Sequence, residues 1–415
     1  MNLTLRVPCP LLAVALLFLV LPVVAQAMPR VVVDRPQVAA DPYVDGSSHR
    51  MEQLGYRSFG PFPLGTNHGS DDVQRLVPGE RLHWIETAHF RIGVALPEIA
   101  VGGSKAWQQR LRGELETLAG SMPVDSRQKR LDPWLRAHLV ALRLERLRRD
   151  VLDVLGQPGA AFPAAPGNDP AHAATFFGVG PHLGMAQPFT VLLFGSKASL
   201  QTYTAAHHGR GTDAPTRWLD AKFGSLRFAA AAEGPQGMAA DDEVLAATLA
   251  YHVAHNLYDG YRAFGHSLPA WLVEGLALDH ARRISEAVAV VPVAGDDERQ
   301  QYRQWPRRLL ELHKAGSLEP LATLVDRLQV DALTIDQRLQ SWAVVHWLRE
   351  QRAGAFANFV HRMKDPFHGR LRFPTGDELR ARQQALLVEC LGGGVERLDQ
   401  QWRQRLGPVR RLAKG

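Results

Sequence analysis

Apolar residues recur along much of this chain at the three- and four-residue spacing of an amphipathic helix, and in only a few places at the alternation of a strand. The clearest series runs Leu135, Leu139, Leu142, Leu147, Val151, Leu152, Leu155. Asp132-Pro133 supplies an N-cap and a first-turn proline, and Gly156 a stop. Arg143, Arg146, Arg148 and Arg149 fill much of the remainder, which predicts a solvated helix face. A second helix is predicted from about Asp241 to Tyr258, and a third starts at Pro269 and reaches about Arg283. Leu339, Trp342, Ala343 and Trp347 mark a helix within residues 333–351, and Phe356, Phe359 and Val360 mark another. Residues 379–391 and 395–406 make a final helical pair divided by Gly392-Gly393-Gly394.

Strand signals are fewer. Phe90 to Ala95 alternates large apolar residues with others. Phe189 to Phe194 is a short apolar run with aromatic and β-branched members, read as a buried strand, and Ser196 can cap the helix after it. Residues 225–228 read as a short edge strand. Residues 28–81 are rich in Pro, Gly, Asp and Ser with no sustained period, and 157–188 are punctuated by Pro158, Pro163, Pro166, Pro170 and Pro181, so both are expected to be loop-like.

The first residues form a different pattern. Arg6 precedes an almost unbroken apolar run from Leu11 to Val24, and Ala25-Gln26-Ala27 follows with small residues at the positions a signal peptidase prefers. Residues 1–27 therefore read as a secretory signal peptide, with an uncleaved anchor as the lesser alternative, because the run is short for a span of about 20 residues. The mature part is expected to be exported, periplasmic or extracellular, with no stable membrane span after cleavage. Its expected organisation is a loop-rich segment over 28–81, an α+β domain over 82–290 and a helical part over 291–415.

At 415 residues and 46% hydrophobic content, the chain can bury a large core. Cleavage would remove only one charge, Arg6, so the net +6 becomes +5. The basic excess is spread along the chain with no basic run interleaved with aromatics, which argues against nucleic acid as a partner. Of the two cysteines, Cys9 lies in the leader and Cys390 is alone in the mature chain, so an internal disulfide is excluded. Cys390 falls in an apolar helical pattern and reads as a small buried hydrophobe.

Candidate chemistry concentrates in two predicted helices. The first carries Tyr251-His252-Val253-Ala254-His255, and after eighteen residues the second carries Glu274 within Leu268-Pro269-Ala270-Trp271-Leu272-Val273-Glu274-Gly275-Leu276-Ala277. His252 and His255, three apart, lie about 60° apart around a helix and can share a face. With Glu274 they make two imidazoles and a carboxylate, a sufficient catalytic zinc set on paper. That register places Val253 after the first ligand, so Glu243, Asp259 or Asp279 would have to serve as base. Each residue also has a plainer reading. Glu274 could be a capping or salt-bridging carboxylate, and Tyr251 a core or pocket-lining aromatic. Trp271 is expected to pack its helix against the core at the cleft, and His266 and His280 to be solvent-exposed.

The segment from about Leu245 to Ala281 resembles the peptidase MA-like, or gluzincin, families of zinc metallopeptidases, which include thermolysin and the aminopeptidase N relatives. Glu86-Thr87-Ala88-His89-Phe90-Arg91-Ile92 resembles their opening strand, and Gln340-Ser341-Trp342 with Leu398 and Trp402 is similar to their C-terminal helices. The resemblance implies an α+β fold, with a small N-terminal sheet, a thermolysin-like two-helix core and a helical C-terminal part. It also implies an active cleft between the motif helices, a bound zinc and peptide hydrolysis. In the family's HExxH pattern His255 stands at the second ligand and Glu274 at the third. Tyr251 stands where the first imidazole would be and His252 where the general base would be. The motif is therefore degenerate, and no catalytic residue is assigned. Three readings follow. The chain is an exported gluzincin-like protein without peptidase activity that binds a peptide or cell-envelope component in the former cleft. Alternatively it is an active zinc hydrolase using His252, His255 and Glu274, or a structural or interaction protein.

Overall fold

The computed structural model describes residues 41–167, 176–233, 237–291, 302–367 and 373–406. The leader reading and the start of the 28–81 segment lie outside the described residues. The helices are α1 (Ser48–Leu54), α2 (Ser70–Leu76), α3 (Lys105–Ala119), α4 (Pro133–Leu155), α5 (Lys197–His207), α6 (Asp242–Gly260) and α7 (Ala270–Ile284). They continue with α8 (Trp305–Lys314), α9 (Leu321–Val325), α10 (Ile335–Met363), α11 (Gly376–Leu391) and α12 (Val395–Leu406). The strands are β1 (Tyr56–Ser58), β2 (His83–Thr87), β3 (Phe90–Val94), β4 (Ile99–Ala100), β5 (Arg130–Leu131), β6 (Phe189–Phe194), β7 (Thr216–Asp220) and β8 (Ser225–Ala231). The fold is α+β. No helix of the described residues is long and apolar enough to cross a membrane.

Six strands form one mixed sheet in the order β1-β2-β3-β6-β8-β7. The β3–β6 and β6–β8 pairs are parallel and the others antiparallel. The sheet is larger than the small N-terminal one expected, and its strands extend to Ala231. Residues 225–228 were expected at an edge, but β8 is central and all seven of its residues are buried. The edge is β7, which gives little sequence signal because all its residues are half-buried. In the 28–81 segment, α1, β1 and α2 replace the expected loop. Ser47 caps α1, and β1 joins the sheet by pairing with β2.

Helix α4 begins and ends where its caps predict: Asp132 accepts from the Trp134 and Leu135 amides, and Gly156 takes φ 61°. Two of its arginines correct the expectation of a solvated face, while Arg149 is exposed as expected. Packed between the sheet, α6 and α10, α4 keeps Arg143 and Arg148 buried. Arg143 Nε donates to Glu114 at 2.9 Å, and its two Nη atoms clamp Asp242 at 2.9 and 2.6 Å. This buried fork ties the first residue of α6 to α3 and α4, and so fixes the start of the helix that carries the candidate chemistry.

His266 and His280 are also buried, contrary to the expected exposure. His266 Nε2 donates to the Met363 carbonyl at 2.7 Å, and His280 Nε2 lies 3.0 Å from the Tyr258 hydroxyl. His266 is covered by the end of α10, and His280 is turned toward α6 and α4, neither of which local patterning reveals. The helix expected within residues 333–351 and the one marked by Phe356, Phe359 and Val360 are both present, as the two halves of α10 on either side of a kink at Arg352, where φ is −144° and ψ 36°. Cys390 is half-buried against the main core.

Helices α7 and α10 cross at Gly275. A Cβ there would stand 2.5 Å from the Ser341 carbonyl oxygen and 2.6 Å from Val345 Cγ2. Gly275 is therefore needed for close approach, and that approach carries Arg338, one turn before Ser341, against Glu274. Gly275→Ala is expected to destabilise the fold by about 1–3 kcal/mol through overpacking. Urea unfolding of the variant checks this; an unchanged midpoint would mean that the helices separate at no cost.

Candidate functional site

Helix α6 starts at Asp241, whose side chain accepts from the Glu243 and Val244 amides. Its buried positions run through Tyr251 and His255. Helix α7 starts after Pro269 and buries Glu274 completely. The two helices bring the sequence-separated residues to one point. His255 Nε2 is 3.2 Å from Glu274 Oε2, and the Tyr251 hydroxyl donates to the same oxygen at 2.9 Å.

A fourth group completes this cluster. Arg338, from the first turn of α10, donates from Nη1 to Glu274 Oε1, and the same atom lies 3.4 Å from the Tyr251 oxygen. Its remaining donors are held by backbone: Nη2 by the Val330 carbonyl at 3.0 Å and Nε by the Leu333 carbonyl at 3.3 Å. Arg338 is nine-tenths buried, so the pair with Glu274 is screened little by water. Sequence reasoning missed it. The arginine lies 64 residues from its partner, and nothing distinguishes it from the many other basic residues except its place one turn before Ser341, which packs on Gly275.

The protonation states follow from this packing. Burial alone would raise the Glu274 pKa, but the hydrogen bond from His255 and the Arg338 charge outweigh it, and the carboxyl is held below its ordinary range. Burial, and then the Glu274 charge, push the Tyr251 phenol well above its usual value, so it stays protonated and donates. Burial lowers the His255 pKa, as does the Arg217 charge, which leaves a neutral imidazole donating to Glu274. The assembly is one carboxylate, one guanidinium and two neutral donors.

His252 does not join them. Sixty degrees of helix rotation turn it to the sheet, where its ring stacks on Phe228 with centroids 4.7 Å apart and planes within 15°. Its Nδ1 is buried and has no hydrogen-bond partner. Burial first, and then the Arg217 charge, drive the His252 pKa well below its ordinary value.

These side chains, as arranged, do not fit the zinc that the resemblance implies. Both Glu274 oxygens are engaged by protein donors, a fixed cation already lies against the carboxylate, and His252 is stacked elsewhere. Among the described residues no group of three or more His, Cys, Asp or Glu is arranged to hold a metal ion.

Beside the cluster lies an open cleft of about 720 Å³. Its walls come from β7, β8, α6 and the segment before α10, with Tyr251, His252, Arg217 and Arg338 on its surface. Of the three carboxylates considered as a base, Asp259 alone lines it; Asp279 is bound by His346 at 2.9 Å and by Arg349. Trp271 is not at the cleft. It is buried, and its Nε1 donates to Gln383 Oε1 at 2.7 Å, which fastens α7 to α11. No protein-family model matches the chain, and no curated protein matches it in sequence.

Proposed function

We propose that this is an exported, degenerate member of the gluzincin-like superfamily, with a thermolysin-like two-helix core, that has no peptidase activity and binds a peptide or cell-envelope component in the former active cleft. The observation that carries this reading is the buried contact of Arg338 with Glu274. A hydrolytic zinc site needs a carboxylate free to ligate, a base and an open position for water. Here the carboxylate is neutralised by a guanidinium, and the residue at the position of the base is a neutral imidazole stacked on Phe228. The adjoining cleft, at about 720 Å³, is in the size range of a ligand site.

The test is metal content together with turnover. Protein purified without chelator and dialysed against micromolar zinc is expected to hold far less than one zinc per chain, and to leave a mixed peptide substrate uncut. Stoichiometric zinc that is lost on His255→Ala and accompanies hydrolysis would overturn the reading in favour of an active hydrolase using His252, His255 and Glu274. If removing α11 and α12 abolishes function while blocking the cleft does nothing, the structural or interaction role gains instead.

A further inference from the structure

We propose that the cleft contains an anion subsite in which Arg217 and His252 together hold a carboxylate, so that the ligand is a peptide presenting a free carboxylate. The proposal deepens the peptide-binding reading and rests on it for the ligand class.

The argument begins with strand register. Arg217 on β7 is the Cα partner of Phe228 on β8. Directly opposed residues of an antiparallel pair project on the same face. The Phe228 ring stacks on His252 of α6, so Arg217 projects on the α6 face of the sheet. The neighbouring pair, Trp218 and Arg227, faces the other way: the Arg227 guanidinium lies 5.9 Å from the Trp218 ring and near Tyr203 of α5. The alternation therefore assigns Arg217 to the cleft, where it is a lining residue.

Arg217 is half-buried there and, among the described residues, makes no hydrogen bond or ion pair. The other cleft cations are engaged. Arg338 is consumed by Glu274, and Lys197 lies 3.8 Å from Asp213. Asp259, the acid that shares the cleft-lining side of α6 with His252, forms no ion pair with Arg217. A partly desolvated guanidinium without a counter-charge is unfavourable, and a bound oxyanion relieves it. The second observation is independent. His252 lines the same wall and its ring makes no hydrogen bond among the described residues; its Nδ1 is sealed from solvent, so Nε2 is the ring nitrogen left to donate one hydrogen bond to a ligand. A planar fork beside a single N–H donor suits a carboxylate: two bonds from Arg217 and one from His252. Apolar walls at Leu219, Leu226, Phe264 and Val290 suit the small side chains next to it.

The test uses the full chain, labelled with ¹⁵N in the histidine rings, and three probes: acetyl-pentaalanine with a free carboxylate, the same peptide as its amide, and inorganic phosphate. The free acid is expected to shift the His252 resonance and to bind about tenfold or more tightly than the amide, as charge-assisted bonds require. Arg217→Gln is expected to abolish the preference, and Arg217→Lys to retain part of it. Arg217 supports no other residue, so both variants should fold, which a thermal melt verifies. Equal binding of acid and amide overturns the subsite and leaves the peptide-binding reading standing. Binding of phosphate alone, lost in Arg217→Gln, keeps the anion subsite but overturns its assignment to a peptide carboxylate. Binding of none of the three overturns both.

Discussion

Arg338→Leu is expected to lower the unfolding free energy by about 3–5 kcal/mol, the range seen when one partner of a buried ion pair is removed. The loss is large because of what remains. Glu274 is fully buried and would keep only the neutral donors Tyr251 and His255. The Val330 and Leu333 carbonyls would lose their donors as well. Combining Arg338→Leu with Glu274→Gln removes the stranded charge and should recover a substantial part of the loss, because a buried pair replaced as a unit often costs little. Urea unfolding of the two single variants and the double variant gives the coupling directly. A single-variant loss under about 1 kcal/mol would mean that Glu274 is reached by water, and the tight cluster would have to be abandoned.

Acid is expected to unfold this protein well above the range in which its carboxylates titrate. His182, His266 and His280 are each lowered to about 3, first by burial and then by neighbouring charge. For His182 that charge is His89, Arg57, Arg91 and Arg148; for His266 it is Lys364, Arg382 and Arg262; for His280 it is Arg349 and Arg283, with Asp279 opposing. The unfolded chain protonates these rings near pH 6.5, while the folded chain excludes the proton down to about pH 3. Between those limits the unfolded state binds more protons, so stability falls as pH falls. Each ring contributes about 1.4 kcal/mol per pH unit, against a typical total of about 5–15 kcal/mol. Above pH 6.5 they add no slope. Asp279, held at about 2 although burial opposes this, loses its stabilising contribution only as pH falls from about 4 toward 2. Urea midpoints at pH 7.5, 6.5, 5.5 and 4.5 should decline together with the histidine charge. Replacing His280 by Gln should remove that ring's own share of the slope, about 1.4 kcal/mol per pH unit. Equal stability at pH 7.5 and 5.5 would show that these rings protonate without unfolding the chain.

Much of the helical framework was legible because its signals are local. Asp132, Pro133 and Gly156 delimit α4 through backbone capping alone. Ser196 caps α5, and Pro269 opens α7. The run from Phe189 to Phe194 reads as a buried strand because every residue is apolar or β-branched, and all six are buried in β6. Strand placement was not legible. Residues 225–228 read as an edge because the run appeared short, while the small residues Ala229, Ala230 and Ala231 extend it between two neighbours. Arg143 of α4 misled for a related reason. Charge predicts solvent only when no partner from another helix is available, and Glu114 and Asp242 are such partners.

By itself, the sequence determined where most helices begin and end, that Cys390 is the one cysteine beyond Cys9, and that an imidazole and a carboxylate on two successive helices could meet. Capping, periodicity and composition act over a few residues, so they survive without knowledge of the fold. Tertiary structure decided which groups meet them. It brought Arg338 onto Glu274 through the close crossing at Gly275, turned His252 away onto Phe228, and left Arg217 facing the cleft from an edge strand. Those outcomes depend on helix crossing and strand register between segments far apart in the chain, where a shift of one residue exchanges one face for the other.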